Sequence, residues 1–158
     1  MRRSNANPLA TLLGYGLPAA TGVLYGVAAQ PGPTQEASTP NRAGANAGLQ
    51  GRVTRYRVDF TIRAGDLELK PNAQGGRGGR LLIGLKAFDR DGNAVNWEAD
   101  DEPLDLTDTE YHAFVKKGIP VHLMIDVPVN ERGHLVTAVY DWNTGKAGAL
   151  EVSLGEGK

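Results

Sequence analysis

The run Asp89-Arg90-Asp91-Gly92-Asn93 sets oxygen-bearing side chains at alternating positions, as a calcium loop does at its start. A helix–loop–helix calcium site then needs a glycine at the sixth place and a bidentate glutamate at the twelfth. Counted from Asp89, the glycine falls at the fourth place and the twelfth residue is Asp100. The run therefore reads as a hairpin turn, which favours Asp and Gly on conformational grounds. Glu98, Asp100, Asp101 and Glu102 close by leave a weak cation site as the alternative. His112, His122 and His134 stand at no metal-ligand spacing from one another. His122 and Asp126 share a strand face, but four residues along a strand cover roughly 13 Å. The glycine-rich GGRGGR at 75–80 lacks the Lys-Ser/Thr pair of a phosphate loop, and no serine lies in a G-x-S-x-G elbow. Tyr140 and Trp142 flank a turn, where they form either an exposed aromatic contact or a cover for one end of the fold. No catalytic, cofactor-binding or metal-ligating set emerges, and the chain is expected not to be an enzyme.

Bulk composition narrows the classes further. Seventeen basic residues face eighteen acidic ones in 158, with no basic block long enough to follow a phosphate backbone. Nucleic-acid binding is thereby disfavoured. Cysteine is absent, which removes disulfides, thiolate nucleophiles and cysteine metal sites. Twenty-one glycines and few aromatics suit short strands joined by many turns.

The elements that would position these residues are mostly strands. In VTRYRVDFTI, Tyr56, Val58, Phe60 and Ile62 alternate with Arg55, Arg57, Asp59 and Thr61, the period of a half-buried strand. NAQGGRGGR at 72–80 reads as a flexible stretch. In the hairpin that follows it, Leu81, Ile83, Leu85 and Ala87 share a face, Asp91-Gly92 supplies the positive φ angles of the tight turn, and Val95 and Trp97 begin the return. EADDEP is expected to lead out of the sheet. Residues 106–120 form the one helix: Thr107 and Glu110 make a capping box, Lys116 and Lys117 sit at the negative end, and Gly118 and Pro120 stop it. Too short to be stable alone, the helix must pack on the sheet. Val121, Leu123, Ile125 and Val127 define a further strand, and residues 134–154 a last hairpin turning at Asn143-Thr144-Gly145. Six or seven such strands with one short helix predict a mainly β fold, an antiparallel immunoglobulin-like β-sandwich.

The beginning of the chain admits two readings. No charged side chain occurs from Ser4 to Gln35, and Val27-Ala28-Ala29 offers small residues for cleavage of a secretory signal. Gly14, Gly16 and Pro18 interrupt any helical apolar core of that kind, whereas Val23, Tyr25, Val27 and Ala29 alternate as a strand does. The expected organisation is a partly disordered lead-in over 1–20, a first sandwich strand over 21–30, a flexible loop or linker over 31–51, and the main body over 52–155. The alternative is a cleaved signal over residues 1–29.

The order of the pieces resembles a known family. GLPAATGVLYGVAA, YRVDFTI, LKAFDRDGNAVN, LTDTEYHAFVKKGIPVHLMIDVP and VYDWNTGKAGALEVSL are similar to successive segments of the C-terminal region of VWFA-related domain proteins from acidobacterial-type bacteria. In that family a von Willebrand factor type A-like domain precedes this region and carries a D-x-S-x-S adhesion motif. No such motif occurs here, so the resemblance brings no metal site. It implies a non-catalytic β-sandwich accessory or interaction module, secreted or envelope-associated, with no membrane span. It also implies a partner in a VWFA-type domain encoded upstream or another envelope protein, and that Met1 is an internal start or the chain a separately encoded piece. The second expectation is a free-standing secreted binding protein whose leader is removed.

Overall fold

The computed structural model describes residues 9, 12–13, 21–38, 41–130 and 133–154. Its elements run β1 (Tyr25–Glu36), β2 (Arg52–Ile62), a 3-10 turn (Ala64–Asp66), β3 (Lys70–Pro71), β4 (Arg77–Phe88), β5 (Ala94–Leu106), α1 (Asp108–Lys117), β6 (Ile119–Pro128), β7 (His134–Asp141) and β8 (Ala147–Ser153). All pairings are antiparallel. One sheet has the order β1-β2-β6. In the other, β4 carries β5 along one side, β3 and then β7 along the other, with β8 outside β7. The chain is thus a mainly β, two-sheet antiparallel sandwich, with one α-helix among the described residues.

Period-two patterning produces the core directly. Tyr56, Val58, Phe60 and Ile62 of β2 and Leu123, Ile125 and Val127 of β6 face Leu81, Ile83, Leu85 and Ala87 of β4 and Leu135 and Val139 of β7. Each such large side chain contributes about 1.5–3 kcal/mol on leaving water. Chain crossing between the sheets occurs early. Thr21 bridges Gly148 at the start of β8, and the Val23 N–H donates to the Ala147 carbonyl at 3.1 Å, before β1 turns to pair with β2. Tyr25 then ties the sheets together: its hydroxyl lies 2.7 Å from Thr137 Oγ1, which itself donates to the Leu150 carbonyl at 3.0 Å. Burial pushes the Tyr25 pKa up to about 12, so the phenol stays protonated and donates.

A second cluster lies on the outer face of the β4 sheet. Leu9 and Leu13 pack there with Leu82, Phe88, Val136, Ala138 and Ala149. Leu9, 1% exposed, sits over Gly84, where a Cβ would collide with the leucine side chain. Most of the expected lead-in over 1–20 lies outside the described residues, but Leu9 and Leu13 belong to the packed fold.

Three boundaries and one turn differ from expectation. β1 continues through residues 31–36, because Thr34, Gln35 and Glu36 find partners in Thr54, Val53 and Arg52 after a bulge beyond Pro31. The first part of the expected 31–51 loop is therefore strand, and residues 41–46 are tied down as described below. The expected flexible stretch at 72–80 closes as a turn: Asn72 Oδ1 accepts from the Gln74 and Gly76 amides at 3.1 and 2.8 Å, and β4 starts at Arg77. Gly76 passes so close to the Leu106 carbonyl that a Cβ would collide with it. EADDEP does not leave the sheet. It stays in β5, with Glu98, Asp100 and Glu102 opposite Leu85, Ile83 and Leu81. Charges on this outermost strand of its sheet also discourage pairing with another chain. Finally, only Gly92 takes positive φ (85°) in the β4–β5 turn; Asp91 does not.

The helix keeps its capping box, with the Glu110 N–H donating to Thr107 Oγ1 at 3.1 Å and the Thr107 N–H to Glu110 Oε1 at 2.9 Å. Gly118 at φ 89° ends it. It buries no residue fully; Phe114 alone packs, partly buried, against the core. Among the described residues no helix is long and apolar enough to cross a membrane.

Candidate binding site

Residues 41–46 form a strap across the side of the sandwich where β5 and β6 approach each other. The Ala43 N–H donates to Asp126 Oδ2 and the Asp126 N–H returns to the Ala43 carbonyl, both at 2.9 Å. Two residues on, the Ala45 N–H donates to the Trp97 carbonyl at 2.7 Å. The strap thereby bonds to β6 on one side and β5 on the other. Asn96, 1% exposed, fastens it from within. Its Nδ2 donates to the carbonyls of Ala43 (3.0 Å) and Asp126 (2.8 Å), and its Oδ1 accepts the amides of Asn46 (3.0 Å) and Trp97 (2.9 Å). Gly44, at φ 112°, passes over this amide where any Cβ would strike it.

Asp126 is the second anchor. Its carboxylate is buried and takes both arms of Arg55, Nε at 2.8 Å and Nη2 at 3.1 Å, while Nη2 also donates to the Asn41 carbonyl. The hydrogen bond from Arg55 to Asp126 is the main reason this guanidinium holds its proton more firmly than usual. A bidentate pair of this type fixes geometry as well as charge.

On either side of the strap lies a groove. Toward β6, a volume of about 610 Å³ is lined by residues that include Arg42, Gly44, Arg55, Glu98, His122 and Met124. A smaller groove of about 230 Å³, lined by Gln30, Pro31, Pro33 and Arg57, shares Arg55 and Met124 with it. Met124, 37% exposed on the outer face of the three-stranded sheet, stands where the two meet. Toward β5, a more apolar groove of about 540 Å³ runs between Leu9, Leu13 and Trp97.

The residues singled out from the sequence are placed apart. Asp89 holds its own hairpin: Oδ1 accepts the amides of Asp91 and Asn93 at 2.9 and 2.8 Å, and these bonds, Asn93's first, hold its pKa below the usual range. The acidic residues of β5 split by face. Glu98, Asp100 and Glu102 alternate with Trp97 and Asp101 along the strand. Burial, then the Asp100 charge, raises the pKa values of Glu98 and Glu102. Asp101 instead accepts from Arg80 Nε (3.2 Å) and the Trp142 indole (3.1 Å), and the Arg80 bond chiefly lowers its pKa. Among the described residues no group of three His, Asp or Glu is placed to hold a metal.

His112 caps back onto the Asp108 carbonyl at 2.8 Å, His134 lies 3.6 Å from Glu151, and His122 lines the β6 groove. His122 and Asp126 are not brought together, since Asp126 turns to Arg55 and Ala43. Of GGRGGR, Arg77 lies over the Tyr111 ring and Arg80 over Trp142, each 4.9 Å from the ring centre. Tyr140 meets Trp142 edge to face at 5.1 Å. The sequence reading missed the strap and Met124. The available signals were a lone Asp in the apolar strand VHLMIDVPV and a lone Asn before Trp97.

No protein-family model matches this chain, and neither does any curated protein.

Proposed function

We propose that the chain is a non-catalytic β-sandwich interaction module, of immunoglobulin-like type, that binds a VWFA-type domain or another envelope protein through the outer face of β1, β2 and β6. The observation that carries this reading is Met124, exposed where two grooves meet and flanked by Arg42, Arg55 and Arg57. A polarizable, adaptable thioether beside guanidinium groups that are already paired, Arg55 with Asp126 and Arg57 with Asp59, suits a chiefly apolar partner surface with polar groups at its edge. The buried polar side chains support a scaffold rather than a reaction centre. Asn96 and Asp126 hold the strap, Thr137 holds Tyr25, and Asp141 holds the last turn through the amides of Asn143 (2.9 Å) and Glu68 (3.0 Å). The resemblance to the C-terminal region of VWFA-related proteins adds the partner class and a secreted or envelope location.

The second reading, a free-standing secreted binding protein released from a leader over residues 1–29, rests on the uncharged opening run. Against it stand the burial of Leu9 and the pairing of residues 25–29 with 58–62, both of which cleavage would remove. The gene neighbourhood separates the two: a VWFA-type sequence upstream, in the same or an adjacent frame, is expected, and its absence removes the main support for the first reading. With that domain purified, calorimetric titration should give saturable binding that Met124→Asp weakens by about tenfold or more, the scale of an interface hot spot. Unchanged affinity in that variant would exclude this face.

A further inference from the structure

We infer that the groove on the β5 side of the strap is a binding site for a small amphiphilic carboxylate, a molecule with a compact apolar body and one negative charge. The inference goes beyond the protein-interaction reading and uses a different face. The groove, about 540 Å³ in volume, falls within the range of about 300–1,000 Å³ usual for small-molecule sites. Its lining includes Leu9, Leu13, Ala94 and Ala99, with the Lys86–Trp97 rung lying between Ala94 and Ala99. Register explains the shape. Lys86 stands opposite Trp97, and Gly84 opposite Ala99, so two long side chains border a floor of small ones. Leu9 and Leu13 cover part of that floor and form one wall.

The Lys86–Trp97 rung selects for an anion. Lys86 reaches over the Phe88 ring, its Nζ 5.9 Å from the ring centre, and makes no ion pair among the described residues. The Trp97 indole N–H has no acceptor among them either, and the ring is 39% exposed. A carboxylate beside this rung pairs with the Lys86 ammonium, while its tail leaves water along the leucines and alanines. An apolar molecule without the charge gains only the second contribution. Glu98 also touches the groove, and when ionised it opposes an anion bound there; burial, then the Asp100 charge, raises its pKa.

Octanoate is the probe, with octanol as its uncharged counterpart. The chain has two tryptophans, so Trp142→Phe leaves Trp97 as the only indole reporter. Octanoate added to this full-length variant should change Trp97 emission saturably. Lys86→Met should weaken binding about tenfold, the scale of one charge-assisted hydrogen bond, and Lys86→Arg should largely retain it. Ala99→Phe, which fills the floor and leaves the lysine in place, should abolish it. Glu98→Gln should bind at least as tightly as the parent. Absence of saturable binding, equal affinity for octanol, or full affinity in Lys86→Met would each overturn the inference.

Discussion

Replacing Asn96 by alanine should release the strap without disturbing the two sheets beneath it. The side chain makes four hydrogen bonds from a buried position, and three of their partners, the Ala43 and Asp126 carbonyls and the Asn46 amide, belong to the strap or its anchor. Leaving a buried polar group without a partner costs about 1–3 kcal/mol. The Ala43 carbonyl keeps its bond from the Asp126 amide, and the Asn46 amide is only part-buried, so water can reach it once the side chain is gone. The net loss is therefore about 3 kcal/mol, toward the low end of the sum. For a domain of this size that corresponds to a fall in Tm of roughly 6–12 °C. Thermal unfolding measures the total, and hydrogen exchange locates it. In the parent, the amides of Ala43, Ala45 and Asn46 should be protected, and in Asn96→Ala they should exchange at the rate of an open loop while β2 and β4 stay protected. A Tm within 2 °C of the parent, or unprotected strap amides in the parent itself, would refute the reasoning.

Other perturbations test other parts of the fold. Leu9→Ala should cost about 2–5 kcal/mol, read from the urea midpoint, because it empties a site that Gly84 leaves open. Deleting residues 1–30 should destabilise the domain further, since it also removes the crossing to β8 and the Tyr25–Thr137 bond; an unchanged melt would restore the leader reading. Glu98→Gln should raise Tm at pH 7. The folded-state pKa of Glu98 lies above its unfolded value, so ionisation opposes folding at neutral pH, and the advantage should vanish below about pH 4, where both states are protonated. A loss of stability in that variant at pH 7 contradicts the assignment. Thr107→Ala should remove about 1 kcal/mol through the lost helix cap, seen as faster exchange at the first turn of α1.

Alternation made the sandwich legible, because β2, β4, β6 and β7 each bury a face that the sequence marks at every second residue. The helix was legible for a local reason as well, its cap and stop residues lying within one dozen positions. Neither kind of signal exists for the strap. Residues 41–46 carry no large apolar side chain, and their partners Asn96 and Asp126 lie 50 or more residues downstream. Composition alone therefore reads them as linker. EADDEP was misread because charge argues against a buried strand but not against an outermost one, and β4 is long enough to pair with all of it. Leu9 and Leu13 escaped for a different reason: the trough that receives them is made by Gly84 and Ala138, whose small size has no directional meaning until the sheet is assembled.

The most direct test of the proposed role is a chemical-shift titration of the isotope-labelled full chain with the purified VWFA-type domain. The account predicts a contiguous footprint on the outward residues of β2 and β6, centred on Met124 and including Arg57 and His122, with α1 and the Trp142 corner unchanged. An absence of shifts at saturating partner, or a footprint confined to the helix or the β4 sheet, would contradict it.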